Sequence, residues 1–315
     1  RDRPDTLQVT MPKKRIDPEL FEALTKLHRE SAISVTGEVK ASDQTASGTE
    51  IVPVSFVLHS EAASPLPMGV VDKVHTEMDT RLNNRFMDLR KPEVKAVFEL
   101  RSMMVALLNE VMQDLGFVCI NTPKIVASGA EGGATLFNVD YFGRPAYLAQ
   151  SPQLYKQMLM STGLDRVYEL GPAFRAEHSN TNRHVTEFVS FDGEMAWIDG
   201  MEDVTATIGT IVDRVLRGLK ERGGEQLELL GRGIDIPALP YPELTYSECL
   251  EMLDAAGMHL EEGEDLGTEA ERLIGEIMAE RGHDLYFIVD YPEEAKPFYI
   301  MEKDGTPYSH SFDLD

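Results

Sequence analysis

The sequence predicts an α+β protein in two parts: a small, partial β-barrel, then a larger domain in which helices flank an antiparallel sheet. Three observations carry this. Residues 7–58 alternate short β-branched runs with one amphipathic stretch, in the order strand, helix, strand, loop, strand. Residues 91–115 repeat apolar side chains at helical spacing, from Val94, Val97 and Phe98 through Met104, Leu107 and Leu108 to Val111, Met112 and Leu115. Residues 168–195 read as two strands joined by a short polar loop.

The 315 residues, 42% hydrophobic and 27% charged, suffice for a substantial core and match ordinary globular composition. Thirty basic and 54 acidic side chains leave a net charge of −24, which excludes a uniformly basic nucleic-acid binder. The acids crowd into 251–284, whereas Lys91, Lys95, Arg101, Lys156, Arg166, Arg175 and Arg183 lie elsewhere, so a locally basic groove is compatible with an acidic whole. Cys119 and Cys249 have neither metal-ligand spacing nor the density of a disulfide framework, which points to a reducing compartment. No run approaches the ~20 apolar residues of a membrane span. The expected location is cytoplasmic, with no membrane partner.

Taken in order, Leu7–Met11 alternates as a strand, and Asp17 caps a helix that Pro18 opens and that continues to Ser31. Ala32–Val39 and Glu50–Leu58 are strands separated by the turn-rich 41–48. Pro65, Pro67 and Gly69 begin a linker that ends in the Arg-rich hinge Asp79–Arg90. The expected divisions are therefore a barrel over 1–64, a hinge over 65–90 and a large domain over 91–315. Pro92 and Glu93 open the long helix, Gly116 ends it, and Phe117–Asn121 is a strand running into Thr122-Pro123. Ser128–Gly133 is a Gly-rich loop without the lysine and hydroxyl residue of a phosphate loop.

Ser151 caps and Pro152 starts a helix that places Gln153 and Lys156 on one face, an amide and a cation suited to a carboxylate. On the hairpin, Arg175 and Glu177 share a face because side chains alternate with a period of two. His184, Thr186 and Phe188 form a comparable row on the return strand. A cation, a carboxylate, an imidazole and a ring together suit a nucleoside triphosphate. Beyond the hairpin, Met201–Glu221 is helical and 223–242 is loop-rich. Thr245–Ala256 and Thr268–Arg281 are helices divided by the acidic, solvated Glu261–Gly267, and Asp284–Val289 and Phe298–Glu302 read as strands.

Phe-Arg-Ala-Glu (174–177), a polar loop, then Arg-His-Val-Thr-Glu-Phe (183–188) resembles motif 2 of the class II aminoacyl-tRNA synthetases, in the aspartate/asparagine/lysine subgroup. The helix, strand and proline of 92–123 are similar to motif 1, which in that family builds a homodimer interface. Residues 7–58 resemble the later part of the OB-fold anticodon-binding domain, and about 223–283 an insertion in the class II catalytic domain.

The resemblance, in its aspartate-activating branch of archaeal and eukaryotic type, implies ATP-dependent activation of L-aspartate and transfer to tRNA. The tRNA is that for aspartate or those for both aspartate and asparagine. It places Glu131, Ser151, Gln153, Lys156, Arg175 and Asp192 on aspartate, and Arg175, Glu177, Arg183, His184, Val185 and Phe188 on ATP. It puts the loop His178, Ser179, Asn180, Thr181 and Asn182 at the tRNA acceptor end, and Asp313 near Mg²⁺. Arg175 is the implied catalytic residue. The chain resembles a family protein cut short at both ends, without the first barrel strands and without motif 3. Two alternatives accompany this reading. An asparagine-activating member shares the motif 2 string, although a neutral amide would leave Lys156 as an unpaired buried cation. A non-catalytic synthetase-like module would bind tRNA or a partner.

Overall fold

Asp17 begins the first regular element as its side chain dictates: its carboxylate accepts from the Glu19 and Leu20 N–H groups, and Pro18 follows without a donor to satisfy. The structure is a computed structural model that describes residues 7–45, 47–70, 75–129, 136–176, 185–296 and 298–315. It falls into two units, Arg1–Lys91 and Pro92–Asp315.

The first unit holds β1 (Gln8–Val9), α1 (Pro18–Lys26), β2 (Ala32–Ala41), β3 (Thr49–Ser60), α2 (Met78–Asn83) and α3 (Arg85–Asp88). The strands form a sheet in the order β1-β3-β2, with β1 parallel and β2 antiparallel to β3. Helix α1 ends at Lys26 rather than Ser31, because Leu27 turns extended and Glu30 takes a φ of 68°. The register of β2 shifts at Thr36/Gly37, where a Cβ on Gly37 would lie 2.2 Å from the Val52 carbonyl oxygen.

The hinge expected to be merely polar is instead helical, wound around one carboxylate. Asp88 is fully buried and accepts from Arg81 Nε at 2.9 Å, Arg81 Nη2 at 3.2 Å and Arg85 Nη1, with Lys91 Nζ 3.7 Å away. The arginine side chains hold its carboxyl below the usual carboxylate range, the Arg81 hydrogen bonds being the largest cause.

The second unit runs α4 (Pro92–Asp114), β4 (Val118–Cys119), β5 (Ile125–Val126), β6 (Asn138–Tyr141), β7 (Arg144–Leu148), α5 (Gln153–Leu159), β8 (Arg166–Phe174) and β9 (Glu187–Met195). It continues with α6 (Met201–Arg222), α7 (Gly224–Leu229), β10 (Glu243–Thr245), α8 (Tyr246–Ala255), α9 (Thr268–Glu280), β11 (Phe287–Val289) and β12 (Phe312–Leu314). The central sheet is β4-β8-β9, with the β8–β9 hairpin antiparallel and β4 joined parallel to β8.

Period-two alternation sorts its side chains. Tyr168 turns to one face and packs with Leu107, Val111 and Met112 of α4 and Ile211 and Val215 of α6. Gly193 opens toward Met112 and Phe117 on that same face. This apolar face buries the helices, and the opposite face is left for polar work.

A second core joins α8 and α9 through Tyr246, Leu253, Ile274 and Met278 to Ile288 of β11. The neighbours Phe287 and Val289 point the other way, onto Tyr241 and the α6 residues Ile208 and Val212. β11 is thus buried on both faces, as its unbroken apolar run requires. Two expectations are corrected here. Residues 223–242 include the short helix α7 rather than loop alone. Phe298–Glu302 is not a strand: within it only Glu302 bridges, to Ser309, where the chain folds back through Gly305 at a φ of 76°. No described helix is long and apolar enough to cross a membrane.

Candidate active site

The polar face of the β8–β9 hairpin follows from its register. Val167 lies opposite Glu194, Glu169 opposite Asp192, Gly171 opposite Ser190 and Ala173 opposite Phe188, so these residues share the face that Tyr168 leaves. Arg175 continues the row, its N–H donating to the Thr186 carbonyl at 3.1 Å just past the strand end. The Arg175 guanidinium lies 5.5 Å from the Phe188 ring centroid, a cation–π contact. Of the four side chains expected to line one slot, Arg175 and Phe188 lie together, and Glu177 and His184 fall outside the described residues.

Helix α5 delivers Lys156 onto the same face. The helix begins at Gln153 with Pro152 at the cap position, so Ser151 is not the cap that was expected; its Oγ instead accepts from the Gln153 N–H at 3.2 Å from one residue further out. Lys156 is buried. Its Nζ donates to the Gly193 carbonyl at 3.3 Å and to Asp192 Oδ1 at 3.5 Å, and lies 3.7 Å from Glu194 Oε2. These are long for charge-assisted hydrogen bonds, which settle at about 2.7–2.9 Å. The ammonium is surrounded without being saturated. The premise that only a ligand could pair this lysine is therefore corrected: two carboxylates already face it.

Asp192 is oriented by Ser190, whose Oγ donates to Oδ2. Glu194 belongs to the same row at a spacing of two, and the alternation that identified Arg175 would also have identified it. Burial pushes its carboxyl up, partly offset by Lys156, while the Asp192 charge adds to the rise. Glu169, also unforeseen, is buried and accepts from the Thr122 N–H at 3.0 Å and the Thr122 Oγ1–H at 2.7 Å. Lys124 Nζ lies 3.1 Å from it. A lone acid inside the apolar run Val167–Leu170 was the signal for such a buried knot.

Other expected residues stand apart. Val185 is exposed. Asp313 sits on β12 in the separate β10-β11-β12 sheet, where Oδ2 accepts from Lys296 Nζ at 3.0 Å. No cluster of three or more His, Cys, Asp or Glu able to hold a metal occurs among the described residues. Glu131, Glu177, His178, Ser179, Asn180, Thr181, Asn182, Arg183 and His184 lie outside the described residues.

A slot floored by the β8–β9 hairpin, with an arginine–phenylalanine pair on the same face as a lysine set among acids, can bind an anionic nucleotide next to an amino acid bearing a second carboxylate. Comparison with known proteins agrees with this geometry. The family described as tRNA synthetases class II (D, K and N) matches residues 77–314. The aspartate–tRNA(Asp) ligase of Thermococcus kodakarensis is 45% identical over 317 residues, covering 100% of this chain and 72% of that protein. The aspartate–tRNA(Asp/Asn) ligase of Methanothermobacter thermautotrophicus is 44% identical, covering 100% of this chain and 71% of that protein. Among solved structures, asparaginyl-tRNA synthetase from Pyrococcus horikoshii, complexed with asparaginyl-adenylate, superposes with a TM-score of 0.88 at 29% identity. It covers 100% of this chain and 71% of that one. Aspartyl-tRNA synthetase from Entamoeba histolytica gives 0.77 at 31% identity, covering 90% of this chain and 62% of that one.

Proposed function

Since the chain belongs to the class II tRNA synthetases of the D, K and N group, we infer that it is an aspartate–tRNA ligase. The observation that carries aspartate rather than asparagine as substrate is the buried Lys156 ammonium, held loosely enough on the polar sheet face to accept one more carboxylate. The relatives named as aspartate ligases, at 43–45% identity, agree with that choice.

The reaction has two steps. The α-carboxylate of aspartate attacks the ATP α-phosphorus and pyrophosphate leaves; a ribose hydroxyl of the 3′-terminal adenosine of tRNA then attacks the adenylate carbonyl, forming the ester and releasing AMP. Neither step needs a covalent enzyme nucleophile, so the side chains contribute placement and charge. Arg175 meets the α-phosphate where negative charge develops, and Phe188 at its side carries the base. Asp192, fixed by Ser190, holds the substrate ammonium, while Gln153 and Lys156 hold the β-carboxylate. ATP enters with the Mg²⁺ it carries. Asp313, paired with Lys296 on the separate β10-β11-β12 sheet, is the described carboxylate that would help hold such an ion, which would supply charge neutralisation at the phosphates.

The partner is tRNA for aspartate. Charging of tRNA for asparagine as well is decided by aminoacylation of each purified tRNA. Assembly is as a homodimer through the 92–123 segment, whose apolar Val97, Met104 and Val118 are exposed, and the location is cytoplasmic. Mass measurement by light scattering tests the dimer.

The reading is tested by Lys156→Ala. Removing one partner of a buried charged contact costs about 2–5 kcal/mol. Aspartate should therefore bind at least ~30-fold more weakly, at 1.4 kcal/mol per decade, while ATP affinity stays unchanged. Equal losses for the two ligands would remove Lys156 from the aspartate site.

A further inference from the structure

The buried Glu169 stands on the polar face of β8, in the row that Arg175 continues, and is assigned to neither step of the reaction. Its oxygens are engaged within the protein. Oε1 accepts from the Thr122 N–H at 3.0 Å and Oε2 from the Thr122 hydroxyl at 2.7 Å. Lys124 Nζ lies 3.1 Å from Oε1 and donates to Thr122 Oγ1 at 3.1 Å, which closes the set of contacts. The floor leaves space for the carboxylate, since a Cβ on Gly171 would stand 2.9 Å from Oε1. An apolar side chain would fill that space without the desolvation of a charge, so filling volume does not account for an acid here.

What the acid holds is the segment 122–124, and that segment leads to both sides of the slot. The Lys124 carbonyl accepts from the Ala149 N–H at 3.0 Å, and the Ala149 carbonyl accepts from the Phe174 N–H at 3.0 Å. Ala149 stands at the end of β7, just before Ser151 and the start of α5, the helix that carries Lys156. Phe174 immediately precedes Arg175. These bonds also tie together two sheets that share no strand. One is β4-β8-β9, which floors the slot, and the other is β5-β7-β6, which leads into α5. Arg175 and Phe188 ride on the floor itself, so loosening the tie moves the α5 side.

Resting on the aspartate reading above, we propose that Glu169 is a positioning residue of the slot. It keys residues 122–124 to the sheet floor and thereby fixes where α5 presents Lys156 relative to Arg175. Glu169 itself touches no substrate atom. Attack of the α-carboxylate on the α-phosphorus needs both ligands in register, and a misplacement of about 1 Å can cost about 10²-fold in rate. An uncharged isostere at position 169 leaves Lys124 Nζ facing an amide, and the segment loosens with no change in volume.

Exchange kinetics and amide hydrogen exchange test this together. In ATP–pyrophosphate exchange, Glu169→Gln should raise the aspartate KM by about 10-fold or more and leave the ATP KM within about 2-fold. Thr122→Val removes one donor to the same carboxylate and should shift the aspartate KM in the same direction, whereas Thr122→Ser keeps the hydroxyl and should restore the parent value. The double variant Glu169→Gln/Thr122→Val should add little to Glu169→Gln alone, because both act through one contact. Without ligands, the Ala149 and Phe174 amides should exchange at least about 10-fold faster in Glu169→Gln, while Ile288 in the α8–α9 core keeps its rate. An unchanged aspartate KM, equal losses for both ligands, or faster exchange at all three amides overturns the proposal and leaves the aspartate reading intact. A parent chain that shows no response to aspartate removes that reading and the proposal with it. If Glu169→Gln does not fold, the contrast between Thr122→Val and Thr122→Ser decides the matter.

Discussion

Asp88→Asn isolates the energetics of the hinge. The carboxylate is fully buried, accepts three guanidinium hydrogen bonds from Arg81 and Arg85, and has Lys91 within 3.7 Å. Asparagine keeps the shape but turns an NH₂ group toward cations and removes the negative charge that Arg81, Arg85 and Lys91 share. Breaking a buried ion pair from one side costs about 3–5 kcal/mol. Arg81 and Arg85 are 29% and 38% exposed, so solvent screens part of the attraction and the lower end, about 3 kcal/mol, applies.

With a urea slope of about 2 kcal/mol per molar, the unfolding midpoint should fall by about 1.5 M. The pH dependence has a definite sign. Asp88 has a native pKa held below its ordinary 3.8, chiefly by Arg81, so its stabilisation is fully present above about pH 4–5 and is lost as pH falls through the depressed value. Urea titrations followed by circular dichroism at several pH values should show a gap between variant and parent that is wide at neutral pH and closes in acid. A gap under about 0.5 kcal/mol at neutral pH would show that the knot adds nothing. A gap of constant width down to strong acid would show that the loss is not electrostatic.

Arg175→Ala should slow aspartate-dependent ATP–pyrophosphate exchange by about 10²–10³-fold, the usual loss of one preorganised donor at developing charge; normal exchange would take Arg175 out of the chemistry. Tyr241→Phe removes a buried hydroxyl with no hydrogen-bond partner among the described residues, so the melting temperature should rise, corresponding to up to about 1 kcal/mol. A fall would reveal a partner for that oxygen. Gly171→Ala places a Cβ 2.9 Å from Glu169 Oε1, and Glu169 cannot retreat while Thr122 and Lys124 hold it. A loss of about 1–3 kcal/mol in stability, together with a raised aspartate KM, is expected; an unchanged KM would separate Glu169 from the site.

Much of this was legible before any coordinates. The β8–β9 hairpin appears within two residues of its expected bounds because strict alternation and a polar connector agree with each other. Lys156 and Gln153 share a helix face because three-residue spacing leaves no alternative. The Asp88 knot was not legible. An Arg-rich, polar stretch has the same composition whether it is solvated or wrapped around one acid, and only tertiary packing chooses which acid is enclosed. Phe298–Glu302 misled for a related reason: aromatic β-propensity records a fit to a half-buried sheet, and no sheet edge is offered there. Asp192 was expected at the site, and Glu194, two residues on along the same face, follows from the same alternation once Lys156 is known to arrive there from α5.

The division of labour across the two faces of β8 and β9 sets a strict rule on how this chain can change length. Deleting or inserting one residue within either strand would slide every later side chain to the wrong side, driving Tyr168 and Phe191 into the substrate slot and Asp192 into the oily layer beneath α4 and α6. Related proteins should therefore absorb gaps in the 177–184 connector or beyond Met195, and between Arg166 and Phe174 they should tolerate substitution far more readily than any odd-numbered gap.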